Sequence, residues 1–225
     1  MLIPECVWLF DVDNTLLDND RFRADLDARL TADFGAAGNA RYWSLFAELR
    51  AALSYADYLG ALQRFRAGID HDPRLLQLSA FMLDYPFAER LYPDALEVLA
   101  HVGRSCLTGV LSDGDVVFQP RKIQRSGVWD AVQGRVIIDI HKETALAAMK
   151  QRFPARHYVM VDDKPLLLAA MKRALGPVLT TVFVRQGHYA AESVGVAIDL
   201  PPDRTIDRIG DLTGHDLNSY RVKVK

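Results

Sequence analysis

The chain has 225 residues, 27 of them Lys or Arg and 29 Asp or Glu, for a formal net charge of −2. That balance excludes a basic nucleic-acid footprint as the default reading. With 50% hydrophobic and 25% charged residues, the composition is that of a folded globular protein, and one core domain with an insert is expected at this length.

The first element is the apolar run Cys6-Val7-Trp8-Leu9-Phe10, which reads as a strand buried on both faces and stops at Asp11. From about Asp20 the pattern turns helical. Phe22, Leu26, Leu30 and Phe34 recur every four residues, then Leu45, Leu49 and Leu53, then Tyr55, Tyr58, Leu59, Leu62 and Phe65; a further helix is expected over 74–85. Beyond Pro93 helix and strand alternate. A helical face of Leu96, Leu99 and Val102 precedes an apolar strand over 106–111, and strands over 136–140, 158–161 and 181–184 follow. Helices fill 116–126, 143–152 and 165–175, the last framed by Pro165 and Gly176.

This alternation predicts an α/β fold, a Rossmann-like and mostly parallel sheet covered on both faces. The expected division is an α/β core made of 1–17 and 91–225 with a helical block, 18–90, inserted after the first strand. Such an insert would sit over the carboxyl ends of the strands, where open α/β sheets bind ligands. Residues from about Pro201 carry no clear pattern.

Cys6 and Cys106 both lie in apolar stretches, and no uncharged run approaches the roughly 18 apolar residues of a membrane span. The N-terminal stretch has no basic lead-in and meets Asp11 early. A reduced, cytoplasmic protein without a membrane partner is the expectation. The sequence does not indicate an oligomeric state.

Chemistry concentrates at strand ends. Asp11-Val12-Asp13-Asn14-Thr15 follows the first strand. Two carboxylates at about 4 Å repel by roughly 4 kcal/mol at an effective dielectric near 20, so a cation or proton should accompany them. A turn in which Asp13 and Asn14 cap backbone groups is the plainer alternative. Asp162-Asp163 ends the run 158–161; Asp163 could simply cap the helix opening at Pro165. If the two strands are neighbours, their acids face one crevice and form a hard oxygen site suited to Mg²⁺.

Ser112-Asp113-Gly114 ends another strand, offering a hydroxyl and backbone N–H groups to an anion, although such a tripeptide also makes ordinary turns. Lys142 opens a helix, where the macrodipole disfavours a cation, so it needs an anionic partner.

The order and spacing of these residues resemble the haloacid dehalogenase-like superfamily of hydrolases. The matching segments are FDVDNT with Asp11, Asp13 and Thr15, VLSDGD with Ser112, HKE with Lys142, and VDD with Asp162 and Asp163. The 77 residues between Thr15 and Pro93 resemble the family's helical cap placed after the first motif; the 19 between Lys142 and Asp162 leave no room for a cap there.

The resemblance implies a Mg²⁺-dependent phosphatase of a small phosphorylated metabolite. Asp11 would be the nucleophile and Asp13 the acid and base. Ser112 and Lys142 would bind the phosphoryl group beside Asp113. The metal would be held by Asp11, the backbone carbonyl of Asp13, and Asp162 or Asp163. Two positions depart from the pattern: Leu166 stands where many relatives have another acid, and Asp113 adds a negative charge at the phosphate site. A haloacid dehalogenase, a phosphomutase and a non-catalytic binding module on the same fold are the alternatives. Retention of Asp13 favours phosphoryl chemistry over dehalogenation.

Other signals read as structural. His141 should face away from Lys142. Lys122 is a rival to Lys142 for the cationic role, but inside the helix 116–126 it is expected on the surface. Arg50, Arg64 and Arg66 could meet an anionic substrate, but a solvated helix face is the plainer expectation, and the stripes from Phe22 to Phe87 are expected in a helical core. No nucleotide-binding glycine motif occurs.

Overall fold

Five consecutive apolar residues, Cys6–Phe10, form β1, buried along its whole length. Such a strand is stable only inside a sheet covered on both sides. The computed structural model describes residues 3–140 and 145–220.

After β1 the chain runs through α1 (Asn19–Leu53), α2 (Tyr58–Phe65) and α3 (Arg74–Asp84). It then alternates: α4 (Ala95–Gly103), β2 (Leu107–Asp113), α5 (Phe118–Arg125), α6 (Val128–Ala131), β3 (Val136–Asp139), α7 (Leu146–Arg152) and β4 (His157–Asp162). α8 (Pro165–Leu175), β5 (Leu179–Val184), α9 (Gly187–Glu192) and β6 (Arg204–Ile206) complete the fold.

The six strands form one sheet in the order β3-β2-β1-β4-β5-β6, every pair parallel. The α/β class expected from the alternation is what the chain adopts. Trp8 and Phe10 face one apolar cluster, which holds Val98, Leu99 and Val102 of α4 and continues into the inserted helices. Val7 and Leu9 face the other, with Met149, Leu168 and Met171. The period-two alternation of β1 therefore feeds two cores. Phe10 is opposite both Val110 and Val161, which brings the carboxyl ends of β1, β2 and β4 level.

The helical residues 22–34 and 45–53 form one element, α1, broken at Gly35 with φ 70° and ψ 176°. That left-handed backbone favours glycine and folds the second arm back on the first. Asn39 Nδ2 donates to the Asp27 carbonyl at 3.1 Å, and Trp43 Nε1 donates to Asp27 Oδ1 at 2.8 Å. Phe22 anchors this block among the rings of Tyr58, Tyr85, Phe87 and Phe118, with centroids 5.3, 5.0, 5.4 and 5.5 Å away. The two connections to the sheet run side by side: Asp18 N–H donates to the Arg90 carbonyl at 2.7 Å and Tyr92 N–H to the Leu16 carbonyl at 2.9 Å.

Several boundaries differ from the sequence expectation. α5 starts at Phe118 and not at 116, because the Asp115 carboxylate accepts from Val117 N–H and Phe118 N–H at 2.8 and 2.7 Å and ends the loop there. α2 starts at Tyr58 because Asp57 caps it, accepting from Gly60 N–H at 2.7 Å. The first residues of the helix expected over 143–152 lie outside the described residues. Cys106 sits half-buried just before β2, whereas Cys6 is buried in β1. The patternless C-terminal stretch supplies β6, and Tyr220 packs its ring 5.0 Å from Trp8. Among the described residues no helix is long and apolar enough to cross a membrane.

Candidate active site

The register of the sheet places Asp11 next beyond Phe10 and Asp162 next beyond Val161, so the two acids emerge side by side from neighbouring strands. Asp11, Asp162 and Asp163 are all buried, and each offers an oxygen such that the three lie within 4.8 Å of one another. Thr15 Oγ1 donates to Asp11 Oδ2 at 3.3 Å, and Lys164 N–H to Asp162 Oδ1 at 2.9 Å. No side chain caps α8, so capping is not what Asp163 does in this structure.

Asp13 lies on the same side of the site and takes no part in a turn cap. Its Oδ1 and Oδ2 accept from Lys122 Nζ at 2.7 and 2.9 Å, and Oδ2 from Gln119 Nε2 at 3.4 Å. The turn is built by Asn14 instead: with φ 62° it accepts from Asn19 N–H and Asp20 N–H at 3.1 and 3.2 Å, starting α1.

Ser112, also buried, accepts from Gln119 Nε2 at 2.9 Å. Gly114 makes room for that glutamine, since a Cβ there would lie 2.9 Å from Gln119 Cβ. Asp113, next along the chain, pairs with Lys164 Nζ at 3.2 Å.

A cavity of about 100 Å³ joins Asp11, Asp13, Ser112, Asp113 and Lys164 to Arg23 and Arg50 of α1, and to Tyr58. Burial pushes the Tyr58 hydroxyl up to about 12. One wall is α9. His188 Nδ1 lies 2.5 Å from Asp20 Oδ1, and His188 N–H donates to Asp20 Oδ2 at 2.9 Å. Gly187, at φ 70°, permits this approach, because a Cβ would lie 2.4 Å from Asn14 Cβ.

The structure therefore brings together Asp11, Asp13, Ser112, Asp113, Asp162 and Asp163. Lys142 and His141 lie outside the described residues. Leu166 is 59% exposed. Lys122 is a correction: expected on the surface, it is fully buried on the acid Asp13. Its signal was the buried stripe of α5, where Phe118, Gln119, Lys122 and Ile123 share one face at helical spacing. Arg50 is a partial correction: it faces solvent, yet it lines the cavity and donates to the Tyr189 hydroxyl. Arg66 is exposed and pairs with Asp70 at 3.0 Å, and Arg64 is exposed. Lys164, Gln119 and the Asp20–His188 pair were not singled out in the sequence, since nothing local marks them.

No family model matches the chain, and neither does any curated protein. Among solved structures, a haloacid dehalogenase-like hydrolase from Burkholderia xenovorans is 58% identical, with 95% of this chain and 99% of that one covered and a TM-score of 0.88. The HAD hydrolase YfnB from Bacillus subtilis, solved bound to magnesium, is 14% identical over 95% of this chain and 98% of its own, with a TM-score of 0.59. A defluorinating L-2-haloacid dehalogenase is 19% identical, covering 94% of each chain with a TM-score of 0.61. At such identities the last two share the fold alone.

Proposed function

The chain belongs to the haloacid dehalogenase-like hydrolases, and we propose that within this family it is a Mg²⁺-dependent phosphatase of a small phosphorylated metabolite. The observation that carries this reading is Asp13, a second carboxylate beside Asp11 in the same cavity. Dehalogenation needs a carboxylate nucleophile and no acid two residues on, whereas an ester's leaving oxygen needs a proton.

In this reading an Asp11 oxygen attacks phosphorus, and the bond from phosphorus to the ester oxygen breaks as that oxygen takes the proton of Asp13. A water oxygen then attacks phosphorus and gives its proton to the Asp13 carboxylate. The bond from phosphorus to Asp11 breaks, which restores both side chains and releases phosphate. The Ser112 hydroxyl, already oriented by Gln119, and the Lys142 cation would bind phosphoryl oxygens.

The donor set fits a hard divalent cation, being three buried carboxylates and no nitrogen or sulfur. Asp11, Asp162 and Asp163, with the Asp13 backbone carbonyl, would hold Mg²⁺, which when bound supplies charge neutralisation for the phosphoryl oxygens. The helical block 18–90 would act as cap and lid. Its support is that Arg23, Arg50 and Tyr58 line the same cavity as Asp11.

Single turnover in water labelled with heavy oxygen tests the reading. Attack of water on phosphorus puts the label in the released phosphate and leaves Asp11 unlabelled. Label in the Asp11 carboxylate, with halide released from a 2-haloacid, would overturn it in favour of dehalogenation.

A further inference from the structure

Lys122 belongs to none of the four motif segments, yet it is fully buried and directed at Asp13. Its three ammonium protons have three acceptors: Asp13 Oδ1 at 2.7 Å, Asp13 Oδ2 at 2.9 Å and Asn19 Oδ1 at 2.9 Å. The rings of Phe118, Phe22 and Phe87 enclose it, with centroids 5.3, 5.9 and 5.9 Å from Nζ. A buried ion pair contributes little stability that a well-packed apolar side chain would not match. The arrangement instead fixes one carboxylate, whose side chain stays 27% exposed at the cavity.

We propose that Lys122 is a positioning residue for Asp13, holding its carboxylate where it receives the proton of the attacking water. This inference rests on the phosphatase reading above. Oδ2 accepts from both Lys122 and Gln119, while Oδ1 accepts from Lys122 alone and keeps a lone pair for that water. Gln119, on the same helix, bonds both Asp13 and Ser112 and so ties the acid and base to the phosphate-binding hydroxyl. Asn19 at the start of α1 supplies the third acceptor, which makes the alignment dependent on the helical block being in place. The step served is hydrolysis of the aspartyl-phosphate: the water oxygen bonds to phosphorus, its proton passes to Asp13, and the bond from phosphorus to Asp11 breaks.

The test is Lys122→Met with p-nitrophenyl phosphate and Mg²⁺. This good leaving group needs little help from an acid, so attack by Asp11 should survive and a burst of one nitrophenol per site should appear. The steady-state rate should then fall about 100-fold, with KM falling alongside it and kcat/KM little changed, because only hydrolysis of the phospho-enzyme is slowed; the size is that of a misplaced catalytic group. The variant should stay folded but melt lower than the wild type, because Asp13 and Asn19 lose the ammonium they accept from. Added to Asp13→Asn, Lys122→Met should slow turnover no further, because it acts through that side chain. Asn19→Ala, which loosens the ammonium without removing it, should give the same signature at smaller size and serves if Lys122→Met does not fold. Burst and steady state falling together, wild-type turnover in Lys122→Met, or additivity with Asp13→Asn would each overturn the role while leaving the phosphatase reading intact. A wild type that releases phosphate from no ester would remove that reading and this inference with it.

Discussion

Asp11→Asn should abolish turnover and, in chelator, raise stability. Three buried carboxylates lie within 4.8 Å of one another, and at an effective dielectric near 20 each pair at that distance repels by about 3.5 kcal/mol. Asp11 takes part in two of the three pairs, so neutralising it removes about 7 kcal/mol of bare repulsion before neighbouring cations and proton uptake are counted. If those offset most of it and about 2 kcal/mol survives, a chain of this size should melt about 4–8 °C higher. The amide oxygen of asparagine can still accept from Thr15 Oγ1, so the bond recorded at 3.3 Å need not be lost. Thermal melts in chelator and across a Mg²⁺ titration check the balance. The wild type should gain about 2.7 kcal/mol at a hundredfold excess over Kd, and Asp11→Asn less. A metal-free Asp11→Asn that melts below the wild type, or a folded variant that keeps more than a few per cent of turnover, would refute the reasoning.

Asp13→Ala should yield a slow enzyme that accumulates phospho-enzyme with good leaving groups, detectable in acid-quenched protein; wild-type kinetics would reject the acid and base assignment. Asp162→Asn should raise the Mg²⁺ concentration needed for half-maximal activity more than Asp163→Asn, and the reverse order would reassign the ligand. Phe22→Ala removes a fully buried ring packed against four others and should cost about 3–5 kcal/mol in denaturant unfolding. At high pH, the Tyr58 hydroxyl is raised by burial from 10.0 to about 12. The folded state therefore holds a proton that the unfolded chain releases, and stability present below pH 10 should be lost as pH rises through about 12. Alkaline melts with Tyr58→Phe, which should flatten that loss, check the sign.

The parts of the site legible in the sequence are those set by strand ends. The apolar runs closing on Asp11, Ser112 and Asp162 mark the carboxyl ends of buried strands, and a parallel sheet with β1 at its centre brings those ends together. Lys122 escaped because a lysine within a helix is ordinarily solvated. Only the rings of Phe22 and Phe87, distant in sequence, reveal that its face of α5 is covered. The fold-back of α1 was hidden for a similar reason. Four-residue spacing continues on both sides of Gly35, and the bend is visible only in its φ and in the contacts of Asp27 with Asn39 and Trp43. β6 is three residues long, and Asp203, whose Oδ2 accepts from Thr181 N–H at 2.8 Å, ties the segment before it to β5. No hydrophobic period could announce it.

The most direct test of the central claim is phosphate release by the wild-type chain from a panel of small phosphate esters, in chelator and then with Mg²⁺ restored, with halide release from 2-haloacids followed in parallel. The account predicts turnover of at least one ester that is abolished by chelator and recovered with Mg²⁺, and no halide release. Halide release that persists in chelator, with no ester hydrolysed, would contradict it.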